Sequence, residues 1–152
     1  MTRRKLTKYI VVHSTSTKPN EDIKLSDVDE WHRKKGKLKV GYHFFIRRDG
    51  IIESGRSPNE IGSHVRDHDL ESIAVCLSGG KNTRGIHAPD YGKQQIESLF
   101  VLLMTLKFMY SDAEVVGHRD LEETPCPSFD VRKWWELNEE NFGLLKFKYK
   151  DL

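Results

Sequence analysis

The 152-residue chain contains only two cysteines, five prolines and no long hydrophobic run. Cys76 and Cys126 are fifty positions apart, so they do not form the framework of a disulfide-stabilised fold. No apolar run reaches the roughly 18 residues that a membrane-spanning helix needs. The basic N-terminus is not followed by the apolar segment of a secretory signal. We therefore expect one domain that is made and first retained in a reducing cytoplasm.

The chain also lacks a strong charge of either sign. Its 25 basic and 23 acidic residues leave a formal net charge of +2, which is too small to indicate a nucleic-acid partner. Basic clusters at residues 3–8 and 33–39 are interpreted as solvated faces. With 37% hydrophobic and 32% charged residues, the composition is that of an ordinary globular domain, which we expect to be a monomer.

Hydrophobic periodicity predicts alternating strands and helices. Strands are predicted at Tyr9–Val12, in a hairpin of Tyr42–Ile46 with Ile51–Glu53, at Ser72–Leu77 and at Ala113–Val116. Helices are predicted from Ser26 to Gly36, over Lys93–Tyr110 and from Asp130 onward. This order favours an α/β fold in which a central mixed sheet is flanked by helices. The single domain spans residues 1–152, with its core at about 9–141.

The C-terminal residues 142–152 have a different pattern. In Leu145–Lys150, apolar and basic residues alternate strictly, which is typical of a strand with one dry and one wet face. The pattern predicts an added edge strand protected by lysines. The alternative is a contact with an anionic envelope polymer.

Three residues have the types and positions of a metal site. His13 and His118 each follow a predicted strand, and Cys126 lies in a loop between Pro125 and Pro127. Strand ends in an α/β sheet hold such loops close together. Two histidines and a thiolate would leave a zinc ion with one open position for water. The alternative is that both histidines bond loop carbonyls while Cys126 packs as a small apolar side chain.

Five stretches, in the same order and at similar spacing, resemble the type 2 N-acetylmuramoyl-L-alanine amidases, and most closely the small zinc-dependent lysozymes of T7-like phages. They are VVHSTSTKP (Val11–Pro19), WHRKKGKLKVGYHFFIRRDGIIESGR (Trp31–Arg56), IGSH (Ile61–His64), SIAVCLSGG (Ser72–Gly80) and HRDLEETPCPSFDVRKWWE (His118–Glu136). The resemblance implies one Zn²⁺ ion, in a surface groove, bound by His13, His118 and Cys126. It also implies that Tyr42 lies beside the metal and assists catalysis. The implied reaction is cleavage of the amide between N-acetylmuramic acid and L-alanine in peptidoglycan.

Two further positions matter for that reaction. The phage lysozymes have a lysine two residues before the closing cysteine, where this chain has Thr124. A threonine can donate a hydrogen bond to an oxyanion, but it carries no positive charge, so we expect weaker assistance. His64, in a loop that borders the substrate groove in the family, is predicted to contact the substrate. The family usually has an asparagine where Asp69 stands, which puts a substrate hydrogen bond there in doubt.

The resemblance favours a phage or prophage endolysin, which accumulates in the host cytoplasm and reaches the cell wall after the membrane is permeabilised. Two alternatives remain open: a cytosolic amidase that recycles muropeptides, and a non-catalytic module that binds muropeptides or a protein. The presence of Cys126 counts against the module, because relatives of that kind commonly lack this cysteine. Some phage lysozymes also regulate a polymerase, but nothing in the twelve residues before His13 supports such a partner.

Overall fold

The computed structural model describes the backbone of residues 2–150 and the side chains of residues 2–140. Its strands are β1 (Tyr9–Ser14), β2 (Phe44–Ile46), β3 (Ile52–Ser54), β4 (Ser72–Leu77) and β5 (Glu114–Gly117). Its helices are α1 (Leu25–Lys34), α2 (Lys93–Met109) and α3 (Val131–Lys150), with short 3₁₀ turns at Asp69–Glu71 and His118–Asp120. The predicted α/β fold with a mixed sheet is confirmed.

The strands lie in the order β3-β2-β4-β1-β5. Strands β2, β4, β1 and β5 are parallel, and β3 pairs antiparallel with β2 through the predicted hairpin. The two central strands are short β-branched runs with almost no exposed residue, as expected for strands covered on both faces. Because β1 is central and parallel to β5, the C-terminal ends of these two strands lie side by side at one edge of the sheet.

Alternation along the strands divides the interior into two layers. Ile10 and Val12 of β1 join the large cluster under α2 and α3. Val11 belongs to a smaller cluster on the opposite face, and Cys76 of β4 packs there with Val28 of α1. His13, two residues after Val11, therefore projects from the face opposite α2 and α3.

Helix α2 is attached to the sheet by a buried amide. The Gln95 side chain is fully buried, and its Nε2 donates to the carbonyl oxygens of Ile46 and Ser78 at 3.1 and 2.8 Å. Its Oε1 accepts from the Gly92 N–H at the start of the helix. One side chain thus satisfies backbone groups at the ends of two strands and at a helix N-terminus, which fixes the position of the helix.

Helix α3 continues through Lys150, so the strand predicted for Leu145–Lys150 is wrong. Once residues 131–140 have formed a helix, each further residue adds a hydrogen bond without a new nucleation cost. The side chains of this segment and residues 151–152 lie outside the described part of the chain, as does any contact that they make. Among the described residues, no helix has both the length and the apolar character needed to cross a membrane.

Candidate metal centre

The two histidines meet because their strands are neighbours. Val12 of β1 pairs with Gly117 of β5, so the next residues, His13 and His118, leave the same edge of the sheet side by side. Their ring centroids are 4.4 Å apart. Together with the Sγ of Cys126, their ligand atoms lie within 4.8 Å of one another. The predicted convergence of the three residues is confirmed, and the group is close enough to bind a metal ion.

The loop that carries Cys126 is held at several points. The Arg119 N–H donates to the Cys126 carbonyl oxygen at 2.8 Å, and the Tyr91 hydroxyl donates to the Pro127 carbonyl oxygen at 2.6 Å. The Ser128 N–H donates to the Pro125 carbonyl oxygen at 2.7 Å. These bonds place the buried thiol next to the end of β1.

Ser14 provides the hydrogen bonds that suit a thiolate. Its backbone N–H and its hydroxyl lie 3.1 and 3.5 Å from the Cys126 sulfur. Burial raises the pKa of the Cys126 thiol, and the bonds from Ser14 oppose that rise. A bound cation would lower the pKa further, because coordination deprotonates a thiol. This role of Ser14 was not predicted, and only its position next to His13 could have indicated it.

Each of the two clustered histidines, His13 and His118, has a hydrogen-bond partner at Nε2 outside the cluster. His13 Nε2 lies 2.9 Å from His64 Nδ1, and His118 Nε2 lies 2.5 Å from a carboxylate oxygen of Glu122. Nδ1 of each ring is therefore the atom left for a metal. Burial, followed by the neighbouring His64 and His118, holds the pKa of His13 well below its usual value, so its ring is neutral, as a ligand must be.

Glu122 was not predicted as part of the site. It lies four residues after His118, a spacing that brings two side chains together in helical backbone. A histidine ligand that shares its second nitrogen with a carboxylate is a common outer arrangement of zinc sites. The spacing within the HRDLE stretch was therefore the available signal.

Tyr42 lies beside the cluster, as predicted. Its ring centroid is 5.0 Å from that of His13 and 5.2 Å from that of His32. With Ser14, Trp31 and other residues it lines a cleft of about 140 Å³ next to the cluster. Burial raises the pKa of the Tyr42 phenol well above its usual value, so the hydroxyl stays protonated and can donate.

His43 points the other way, as the alternation predicts. It is fully buried. Its Nδ1 accepts from the Ala74 N–H at 3.0 Å, so its Nε2 carries the proton and donates to the Glu60 carbonyl oxygen at 2.8 Å.

Thr124 lies in the loop two residues before Cys126 and is partly exposed. Its Oγ1 accepts a long hydrogen bond of 3.4 Å from the Cys126 N–H. This contact uses the oxygen as an acceptor and leaves the hydroxyl proton free to donate. Its catalytic role stays a prediction.

The substrate contact expected of His64 stays a prediction. In the structure its side chain has 0% exposure, and its ring packs edge-on against that of His13 with the centroids 4.9 Å apart. The adjacent Asp69 carboxylate accepts from the N–H groups of His64 and Val65 at 2.7 and 2.9 Å, and so holds this loop. A lone histidine in the motif IGSH gave no signal that distinguishes a buried partner from a surface contact.

Comparisons with known proteins agree with this geometry. The family profile described as N-acetylmuramoyl-L-alanine amidase matches residues 3–129. The chain is 41% identical to the endolysin of Klebsiella phage KP32, over 91% of each chain. It is 40% identical to the endolysin of Escherichia phage T7, over 90% of this chain and 91% of that one. The solved N-acetylmuramoyl-L-alanine amidase LysC from Clostridium intestinale superimposes with a TM-score of 0.75 at 26% identity, covering 93% of each chain. With the family profile matched over most of its length, this chain belongs to the N-acetylmuramoyl-L-alanine amidase family.

Proposed function

We propose that the protein is a zinc-dependent peptidoglycan amidase that acts as a phage or prophage endolysin. Its reaction is hydrolysis of the amide between N-acetylmuramic acid and the L-alanine of the stem peptide. The observation that carries this proposal is the cluster of His13, His118 and Cys126, which lies in a chain of this family.

The donor set fits zinc. Two neutral imidazoles and one thiolate are nitrogen and sulfur ligands of the kind that zinc prefers, and three protein ligands leave a fourth position open. The buried thiol already accepts from two donors of Ser14, and both rings are oriented through Nε2. Zinc held there supplies Lewis acidity and a water nucleophile that is active near neutral pH.

Tyr42 and Thr124 are the residues that assist on the protein side. As the amide carbonyl becomes tetrahedral, its oxygen gains negative charge and needs a hydrogen-bond donor. The Tyr42 hydroxyl is protonated, and the Tyr42 ring lies beside that of His13. The Thr124 hydroxyl accepts from the Cys126 N–H and so keeps its own proton free to donate. Since Thr124 cannot supply a positive charge, Tyr42 carries the larger part of this assistance.

The endolysin role is supported by the phage relatives, which match over about nine-tenths of their length. An endolysin is made in the host cytoplasm and acts on the wall once the membrane is permeabilised. A recycling amidase would share the same site but would prefer small soluble muropeptides. Activity on intact sacculi therefore separates these two roles.

The test is digestion of purified sacculi with mass analysis of the products. We expect intact stem peptides with a free N-terminal alanine, loss of cleavage on chelation, and recovery with zinc. Cys126→Ala should bind no catalytic zinc and cleave about 1,000-fold more slowly, whereas His87→Ala, which removes an exposed potential ligand outside the cluster, should keep most activity. New reducing sugar ends, or full cleavage by metal-free Cys126→Ala, would contradict the proposal.

A further inference from the structure

A chain of hydrogen bonds runs from His13 away from the metal cluster into the protein. His13 Nε2 lies 2.9 Å from His64 Nδ1, and His64 Nε2 lies 3.1 Å from the Ser72 hydroxyl. That hydroxyl lies 2.7 Å from the carbonyl oxygen of His68. The chain is shielded from water, because His13 is 1% exposed, Ser72 is 0% exposed and the His64 side chain is 0% exposed.

The direction of every proton in this chain follows from its last member. A carbonyl oxygen can only accept, so Ser72 donates its single hydroxyl proton to His68. The Ser72 oxygen is then the acceptor for His64, whose Nε2 must carry the proton. The Asp69 carboxylate, 3.7 Å from the same nitrogen, favours a proton at that position as well.

With its proton on Nε2, the neutral His64 ring offers only a lone pair at Nδ1. The short contact to His13 therefore needs the proton on His13 Nε2. A neutral imidazole has one proton, so Nδ1 of His13 is left with a free lone pair and is the atom that can bind a metal together with Cys126 and His118. The opposite tautomer would put a proton on the atom that faces the metal.

We propose that His64 and Ser72 are positioning residues that hold His13 in the tautomer with its proton on Nε2 and so present Nδ1 to the metal. The relay ends on a backbone carbonyl and contains no formal charge. His118, in contrast, is oriented by the Glu122 carboxylate. The two histidine ligands thus have outer partners of different charge, and only the relay to His13 is sealed from solvent. This inference rests on the metal site of the proposed function.

The strand register explains why Ser72 can act here. Ile73, Val75 and Leu77 of β4 belong to the cluster under α2 and α3, so Ser72 faces the other side, as His13 does. Neighbouring β1 runs parallel to β4. The His64 ring fills the space between the two side chains and bridges positions at different heights along the strands.

The first experiment reads the tautomers directly by ¹⁵N NMR of the histidine rings in the full-length protein, with and without zinc. We expect His64 to carry its proton on Nε2 in both states, and His13 to carry its proton on Nε2. A proton on His64 Nδ1 would overturn the proposal. Because this measurement does not need zinc or substrate, it separates failure of the relay from failure of the proposed amidase function.

The second experiment measures zinc affinity by competition with a chelator. Ser72→Ala removes the hydroxyl that fixes His64, and we expect zinc affinity to fall about 10- to 100-fold, the usual effect of losing an outer-shell partner. Ser78→Ala is the matched control, since Ser78 is equally buried and its hydroxyl has no hydrogen-bond partner within the described residues. Equal zinc affinity in these two variants would overturn the proposal. His64→Leu should weaken zinc binding at least as much as Ser72→Ala does. If His64→Leu fails to fold, the comparison of Ser72→Ala with Ser78→Ala remains decisive.

Discussion

At the scale of single residues, the metal cluster is surrounded by groups that set protonation states. The Ser14 N–H donates to the sulfur of Cys126, while the Glu122 carboxylate bonds the ring of His118. Tyr42 keeps its proton because burial raises its pKa. Two of these partners are local in sequence, since Ser14 directly follows the ligand His13 and Glu122 lies four residues after the ligand His118. The local chemistry of the site is therefore concentrated in short sequence stretches.

The role of Tyr42 gives a prediction at this scale. Tyr42→Phe removes one donor to the developing oxyanion and leaves the three ligand residues in place. We expect kcat on sacculi to fall about 100-fold, the size seen when one oxyanion donor is lost, with zinc affinity unchanged. Tyr9→Phe, which changes a tyrosine whose ring packs against His68, is the control and should keep full activity. A kcat within twofold of wild type for Tyr42→Phe would exclude the assigned role.

At the scale of secondary-structure elements, the sheet determines where the site forms and the helices hold the sheet. The parallel pairing of β1 with β5 puts two ligands at one edge. Tyr42 is positioned by a close approach between the backbone at Gly41 and the backbone at Ser63. A Cβ at Gly41 would lie 1.9 Å from the Ser63 carbonyl oxygen. Only glycine permits this approach, which brings the residues before Tyr42 and His64 together.

Gln95 gives the prediction at the scale of elements. Gln95→Leu keeps the size of the side chain but leaves the Ser78 carbonyl and the Gly92 N–H without their partner. The Ile46 carbonyl loses one of two donors, since it still accepts from the Ser78 N–H. We expect the free energy of unfolding to fall by about 2–4 kcal/mol, since each buried group that loses its partner costs about 1–3 kcal/mol. Denaturant unfolding measures this change. Gln94→Leu, at an exposed position of the same helix, is the control and should change stability by less than about 0.5 kcal/mol.

At the scale of the whole molecule, several histidines are buried in neutral form. The pKa of His32 is lowered to about 4 by burial and then by Lys37 and Lys35. The pKa of His43 is lowered to about 4, mainly by burial. The usual value in an unfolded chain is 6.5. Between these values the unfolded chain binds protons that the folded protein does not, so acid favours unfolding.

The resulting prediction concerns stability against pH. Above about pH 6.5, these histidines should contribute a constant amount to the free energy of unfolding. As the pH falls from there toward 4, the free energy of unfolding should decrease. Denaturant unfolding with a chelator present measures this decrease without metal release. In His32→Asn the new side chain can still accept from the Gly41 N–H, and the free energy of unfolding should depend less steeply on pH. His87→Asn, at an exposed histidine, should leave this dependence unchanged. Equal stability at pH 7 and pH 5 would contradict the prediction.

The sequence by itself determined the α/β order of elements, the strand ends that carry His13 and His118, and the loop that carries Cys126. Periodicity is a local property, and the motifs of the family keep their order along the chain. The same local reasoning failed for Leu145–Lys150, where an alternating pattern lies in the continuation of a helix.

Only the tertiary structure decided what surrounds the ligands. His64 is 51 positions from His13, and Ser72 lies on a different strand, so no spacing in the sequence indicates that they join. The direction of their hydrogen bonds depends on burial and on the carbonyl of His68. A histidine in the motif IGSH is equally compatible with a groove and with the interior. The packing of the loop behind β1 makes it a buried partner of His13, because an imidazole sealed from water must find its hydrogen bonds within the protein.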